Sequence, residues 1–162
     1  MKILLHKSPH APALRQRRQL LALLRRAQQL LAGENSCERG VLQVVLLGRQ
    51  EMAALNGLHL QHQGATDVIT YDFRNGPEPE MFLDEDCVMA EIYLCPEVAA
   101  EVSGKYQQSR SRELILYALH GLLHLYGEDD LTLEDRASMR AAEERLLSAL
   151  AQEFDLDAVA AF

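Results

Sequence analysis

The run HGLLHLYGEDD at residues 120–130 sets His120 and His124 four residues apart among leucines, then closes on a glycine and three acids. On a helix, residues at that spacing share a face and lie one turn apart. Their neighbours Leu116, Leu119, Leu122, Leu123 and Leu125 are apolar. An imidazole in such surroundings loses stability unless each ring nitrogen finds a partner. A divalent cation would satisfy one nitrogen of each ring together. Gly127 lets the chain turn back beyond the helix, so a carboxylate at 128–130 can supply a third ligand. With Asp130 the pattern becomes H-x3-H-x5-D. The plainer alternative is a pair of core or rim histidines bonded to carbonyls, followed by a solvated acidic loop.

The familiar helical zinc pattern is HExxH, whose glutamate is the general base of a peptidase. Here Gly121 follows the first histidine, which removes that base and disfavours a peptidase. Structural zinc sites fill four positions with protein ligands, whereas catalytic ones hold three and leave one for water. No cysteine lies near the motif to fill a fourth place. The spacing therefore points to catalysis, with a metal-bound water as the catalytic group because an ion lowers that water's pKa to about 7.

The elements that must position this cluster can be read along the chain. MKILLH predicts a first strand, and Leu14 to about Ala32 a helix with leucines on one face. Arg15, Arg18, Arg25 and Arg26 fall on the opposite face, and only Arg17 lands on the apolar side. VLQVVLLG (41–48) predicts a buried strand. RQEMAALNGL follows as a short helix stopped by Asn56-Gly57. TDVITYDF (66–73) alternates as a half-buried strand, with Ile69, Tyr71 and Phe73 on one side and Val68, Thr70 and Asp72 on the other. RNGPEPEMFLDED reads as an exposed acidic loop, and CVMAEIYL (87–94) as a strand that can pair with the previous one across that loop. Pro96 opens a short helix. Residues 109–127 form an apolar helix closed by Gly127, and Thr132 with Asp135 caps a last helix through about Leu150. The order predicts an α+β fold: one domain over residues 1–162, with a mixed sheet of about four strands and about five helices.

The composition, 48% hydrophobic and 25% charged, is that of a globular protein. Cys37, Cys87 and Cys95 are odd in number and lack CxxC spacing, so a reduced cytoplasmic setting is expected rather than a disulfide framework. No stretch has the length of a membrane span or a secretory segment. The net charge of −8 sits poorly with phosphate binding. A phosphate-binding reading therefore expects the negative charge to gather in the 78–86 loop and the last helix. It leaves Arg15, Arg18 and Arg25 as the substrate-binding stripe, whereas the plainer reading of these arginines is a solvated helix face.

The motif closely resembles H-G-x-L-H-L-x-G-x-D-H, the signature of the YbeY family of bacterial zinc-dependent endoribonucleases. LNGLHLQHQGATDVITYDF (55–73) is similar to the family's Leu-Asn to Thr-Asp-Val segment, and AEIYLCPEVA to its Gly-Asp-Ile stretch. The matches run in order over roughly Leu55 to Leu150. The resemblance implies single-strand-specific cleavage of ribosomal RNA precursors, including 16S 3′ end processing, and a part in ribosome quality control. Its implied partners are ribosomal RNA and small-subunit ribosomal proteins. Carried over by position, the metal ligands are His120, His124 and Asp130, with Asp130 standing where the signature has a histidine. Carboxylate oxygen is an ordinary zinc donor, though a harder site selects less strongly against manganese or iron(II). Leu60 stands at the family's arginine, Glu91 at its aspartate and Ala90 at its glycine.

Candidate proton-transfer groups are Glu128 and Asp129, beside the ligand, and His62; Thr66 and Asp67 could shape the groove. The competing readings are a ribosome-assembly factor with a structural metal, favoured by Leu60, and another metallohydrolase, which Gly121 opposes.

Overall fold

A computed structural model describes residues 1–33, 39–60, 64–74 and 86–162. Four strands, β1 (Lys2–Lys7), β2 (Val41–Leu46), β3 (Val68–Asp72) and β4 (Val88–Leu94), form one sheet in the order β1-β2-β4-β3. The β1/β2 and β2/β4 pairs are parallel, and β3 runs antiparallel to β4 with Val68 opposite Leu94 and Asp72 opposite Ala90. The expected α+β fold with a mixed sheet is therefore present, and β3 is left at an edge. Interior β2 turns Leu42, Val44 and Leu46 to one face, where they are almost wholly buried, while Gln43 and Val45 on the other are half-buried.

Five helices complete the fold: α1 (Arg17–Ala32), α2 (Arg49–Leu60), α3 (Pro96–Tyr106), α4 (Arg110–Leu125) and α5 (Leu133–Leu150). Helix α4 lies against β3 and β4 and touches α1, α3 and α5. Its Leu114, Ile115, Ala118, Leu119 and Leu122 are fully buried. The other face of the sheet carries a separate cluster in which Met52 of α2 packs with Ile69 and Cys95. The alternation read in β3 is thus realised: Ile69 serves the α2 side, while Val68 joins the core beneath α4.

Two helix boundaries differ from the sequence reading. Helix α1 begins at Arg17 rather than Leu14, because the chain before it is held by a tertiary bond from the Arg15 N–H to the Ala161 carbonyl, 2.8 Å. Helix α2 passes through Asn56-Gly57 to Leu60. A helical glycine costs only about 1 kcal/mol, and the buried Asn56 amide is occupied by donating to the Gly64 carbonyl at 2.8 Å. The end of α4 follows the expectation. Gly127, at φ 95°, takes the left-handed position, its N–H reaching the His124 carbonyl and the Glu128 N–H the Leu123 carbonyl, each at 3.1 Å. These two bonds form a Schellman motif. The capping box is also present: Asp135 N–H donates to Thr132 Oγ1 at 3.1 Å, and Thr132 N–H to Asp135 Oδ2 at 3.0 Å. Among the described residues, no helix is long and apolar enough to cross a membrane.

Candidate metal centre

Strand β3 and the C-terminal half of α4 bound a cleft of about 720 Å³, lined also by Asp130 and Glu143. Gly121 sets how closely α4 approaches the sheet beside it. A Cβ there would stand 2.8 Å from Thr70 Oγ1 and 3.0 Å from Ile92 Cγ2, inside normal contact, so a side chain at this position would force the helix off the sheet. The glycine that distinguishes the motif from HExxH is thus a spacer that lets α4 lie close on β3 and β4.

His120 and His124 meet with their rings nearly perpendicular, 87° between planes, and their Nε2 atoms 3.0 Å apart. Each Nδ1 is already engaged. His124 Nδ1–H donates to the Glu128 carbonyl at 3.0 Å, a bond created by the turn at Gly127. His120 Nδ1 lies 2.8 Å from Glu143 Oε1 on α5, and an ionised carboxylate can only accept. Both neutral rings therefore carry their proton on Nδ1, and two Nε2 lone pairs point into the same small space. A shared proton or a cation is needed to reconcile them. The Glu143 carboxylate beside His120 holds that imidazole's pKa above its ordinary value of 6.5, against the opposing effect of burial.

Asp130 supplies the third donor. Its Oδ2 lies 3.7 Å from His120 Nε2, and one ligand atom from each of His120, His124 and Asp130 falls within 4.8 Å of the others. Donors about 2.1 Å from a tetrahedral ion stand roughly 3.4 Å apart, close to the 3.0 and 3.7 Å separations of His120 Nε2 from His124 Nε2 and Asp130 Oδ2. The Asp130 carbonyl is held by Arg136 Nε at 2.9 Å, and its N–H donates to Asp129 Oδ1 at 2.7 Å. The two lone pairs, the adjoining carboxylate and the open cleft all fit a cation with room for a further ligand.

The remaining candidates are placed as follows. Glu128 accepts from Ser138 Oγ at 2.7 Å, and Asp129 is taken up by the Asp130 N–H; neither lines the cleft. His62 lies outside the described residues. Asp67 lines the cleft, its Oδ1 accepting from Thr66 Oγ1 and the Val68 N–H, both at 2.9 Å. Glu91 accepts from the Tyr93 hydroxyl at 2.8 Å; burial first, and then this bond, raises the Tyr93 pKa to about 12.

Arg15, Arg18 and Arg25 are exposed and do not line the cleft; α1 packs beside β1, at the edge opposite β3. Negative charge gathers at the site as well, in part from the last helix, which contributes Glu143. Asp67, Asp72, Asp130 and Glu143 all face the cleft, while α5 carries three arginines against four acids. The 78–85 part of the acidic loop lies outside the described residues. Glu143 was not among the sequence candidates; its signal was only an acid adjoining the buried stripe Met139, Ala142, Leu146.

Fold and centre together define an α+β metal-binding protein whose donors open onto the edge of a sheet. The chain belongs to the YbeY family: the family model described as endoribonuclease YbeY matches residues 9–151. Among curated relatives, the endoribonuclease YbeY of Salinibacter ruber is 34% identical over 109 residues, covering 67% of this chain and 69% of its own. That of Micrococcus luteus is 33% identical over 127 residues, 78% and 81% of the two chains. That of Pelotomaculum thermopropionicum is 32% identical over 131 residues, 79% and 84%. A solution structure from Thermotoga maritima shares the fold, with a TM-score of 0.61 and 19% identity over 93% of this chain and 90% of that one.

Proposed function

We propose that residues 1–162 act as one metal-dependent endoribonuclease domain that cleaves single-stranded segments of ribosomal RNA precursors, the 3′ end of 16S ribosomal RNA among them. Zinc is the ion we assign, held by His120 Nε2, His124 Nε2 and an Asp130 carboxylate oxygen. The observation that carries this reading is the pair of Nε2 atoms 3.0 Å apart with both Nδ1 atoms committed elsewhere. Membership in a family whose curated relatives bear the name endoribonuclease supplies the substrate class.

Bound there, a divalent ion supplies Lewis acidity toward a phosphoryl oxygen and lowers the pKa of water. The chain's own residues hold and shape. The Glu128 carbonyl and the Glu143 carboxylate fix both imidazoles in the tautomer that offers Nε2. Gly121 lets α4 lie close on β3 and β4, which sets both imidazoles beside the β3 edge where a substrate strand would approach. Arg15, Arg18 and Arg25, outside the cleft, take flanking phosphates of a longer RNA rather than the scissile one. Three protein donors with an open side favour this reading over a structural metal in an assembly factor.

The test is metal analysis of the wild type and His124→Ala, joined to cleavage of a ribosomal RNA fragment containing structured and single-stranded parts. The expected result is zinc and internal cleavage in the wild type and loss of both in the variant. Full activity in His124→Ala overturns the hydrolase reading. Metal without cleavage by the wild type transfers the case to the assembly factor.

A further inference from the structure

We infer that Glu143 is the positioning residue of the centre: from α5 it fixes the tautomer and the angle of the His120 ring, and so sets the affinity for the ion. The inference rests on the metal reading above but adds to it a residue outside the signature run. His120 Nδ1 and Glu143 Oε1 are 2.8 Å apart, with side-chain exposures of only 23% and 15%, so water competes little for either atom. A histidine whose remote nitrogen donates to a carboxylate presents its other nitrogen as a more basic ligand in a fixed direction. The two rings are held unequally. His124 leans on the Glu128 carbonyl, four residues away on the same turn, whereas His120 depends on a carboxylate 23 residues distant in sequence. The contact therefore exists only when α5 is docked, through Met139, Ala142 and Leu146, against its neighbours. Arg136, on the same face of α5 two turns earlier, holds the Asp130 carbonyl. One helix thus supports two of the three donors.

Second-sphere partners of this kind are worth about 10–100-fold in metal affinity. The experiment compares the full-length wild type with Glu143→Ala, Glu143→Gln and Glu143→Asp. Zinc affinity is read by competition with a chromophoric chelator, and the imidazole tautomers of the zinc-free proteins by nitrogen NMR. Glu143→Ala is expected to weaken zinc binding about 10–100-fold and to lose the Nδ1–H form at His120 while keeping it at His124. Glu143→Gln can still accept from Nδ1–H and falls between. An unfolded Glu143→Ala would show in its melting curve, and the Gln and Asp variants then carry the comparison. Unchanged affinity and tautomer in a folded variant overturn the role of Glu143. A wild type that takes up no zinc overturns the metal reading instead, so the two failures are distinguishable.

Discussion

Replacing Gly121 with alanine sets two effects of opposite sign against each other, and the structure decides between them. Alanine is favoured over glycine inside a helix by about 0.8–1.0 kcal/mol, so an uncrowded position would gain stability. Here the new methyl would meet Thr70 Oγ1 at 2.8 Å and Ile92 Cγ2 and Cδ1 at 3.0 and 3.1 Å. Ile92 is fully buried on β4 and has no room to withdraw. Thr70 is tied through its strand to Ile92 of β4. Overpacking of this kind costs about 1–3 kcal/mol. The balance is a net loss of about 1 kcal/mol, or a fall in Tm of roughly 2–4 °C for a chain of this size. Thermal unfolding followed by circular dichroism measures it. A rise in Tm by the same amount would mean that helix propensity wins and that the spacing of α4 from β3 and β4 is not set by this glycine.

Other expectations follow from single contacts. The raised pKa of His120, due first to Glu143, makes its contribution to the stability of the zinc-free protein complete below about pH 6.5 and lost as pH rises through the folded value. Melting in chelator should therefore weaken over that rise, with a smaller slope in Glu143→Gln, while zinc uptake strengthens because its ligands must be deprotonated. Thr132→Ala removes the cap of α5 and should cost about 0.5–2 kcal/mol; an unchanged Tm would show the capping box to be redundant. Reversing Arg15, Arg18 and Arg25 should reduce the salt dependence of RNA binding by a slope of about 2, at roughly 0.7 per phosphate on a single strand. Identical slopes would move the RNA path away from α1.

How much of the centre could be read in advance depended on how local its causes are. The pairing of His120 with His124 is a property of one helical turn, and the return of the chain toward them follows from the left-handed Gly127. Both are visible in eleven consecutive residues. Gly121 could be read only as a missing base; that it is a spacer depends on Thr70 and Ile92, which the sheet order brings beneath it. Glu143 was hidden for the same reason, since an acid on an amphipathic helix is ordinary until the docking of that helix aims it at His120. The run of strands and helices was legible from apolar periodicity. The misplaced ends, Leu14 and Gly57, were those where a tertiary hydrogen bond overrode a local signal.

The acidity of the cleft bears directly on how RNA is held. Asp72 is balanced by Arg74 at 2.7 Å, which leaves Asp67, Asp130 and Glu143 facing the space where a phosphate must pass. Two like charges about 4 Å apart repel by about 4 kcal/mol at the effective dielectric of a protein surface. Three carboxylates would therefore exclude a phosphodiester unless a divalent ion held by His120, His124 and Asp130 offset two of the three charges. On the proposed reading, engagement of the scissile phosphate and loading of the centre would be one linked equilibrium. Arg15, Arg18 and Arg25, which lie outside the cleft, would on that same reading act on the flanking chain independently of it. Chelation should accordingly abolish cleavage while leaving most of the salt-dependent RNA affinity in place. A centre whose loss removed both together would mean that the cleft, and not α1, carries the affinity.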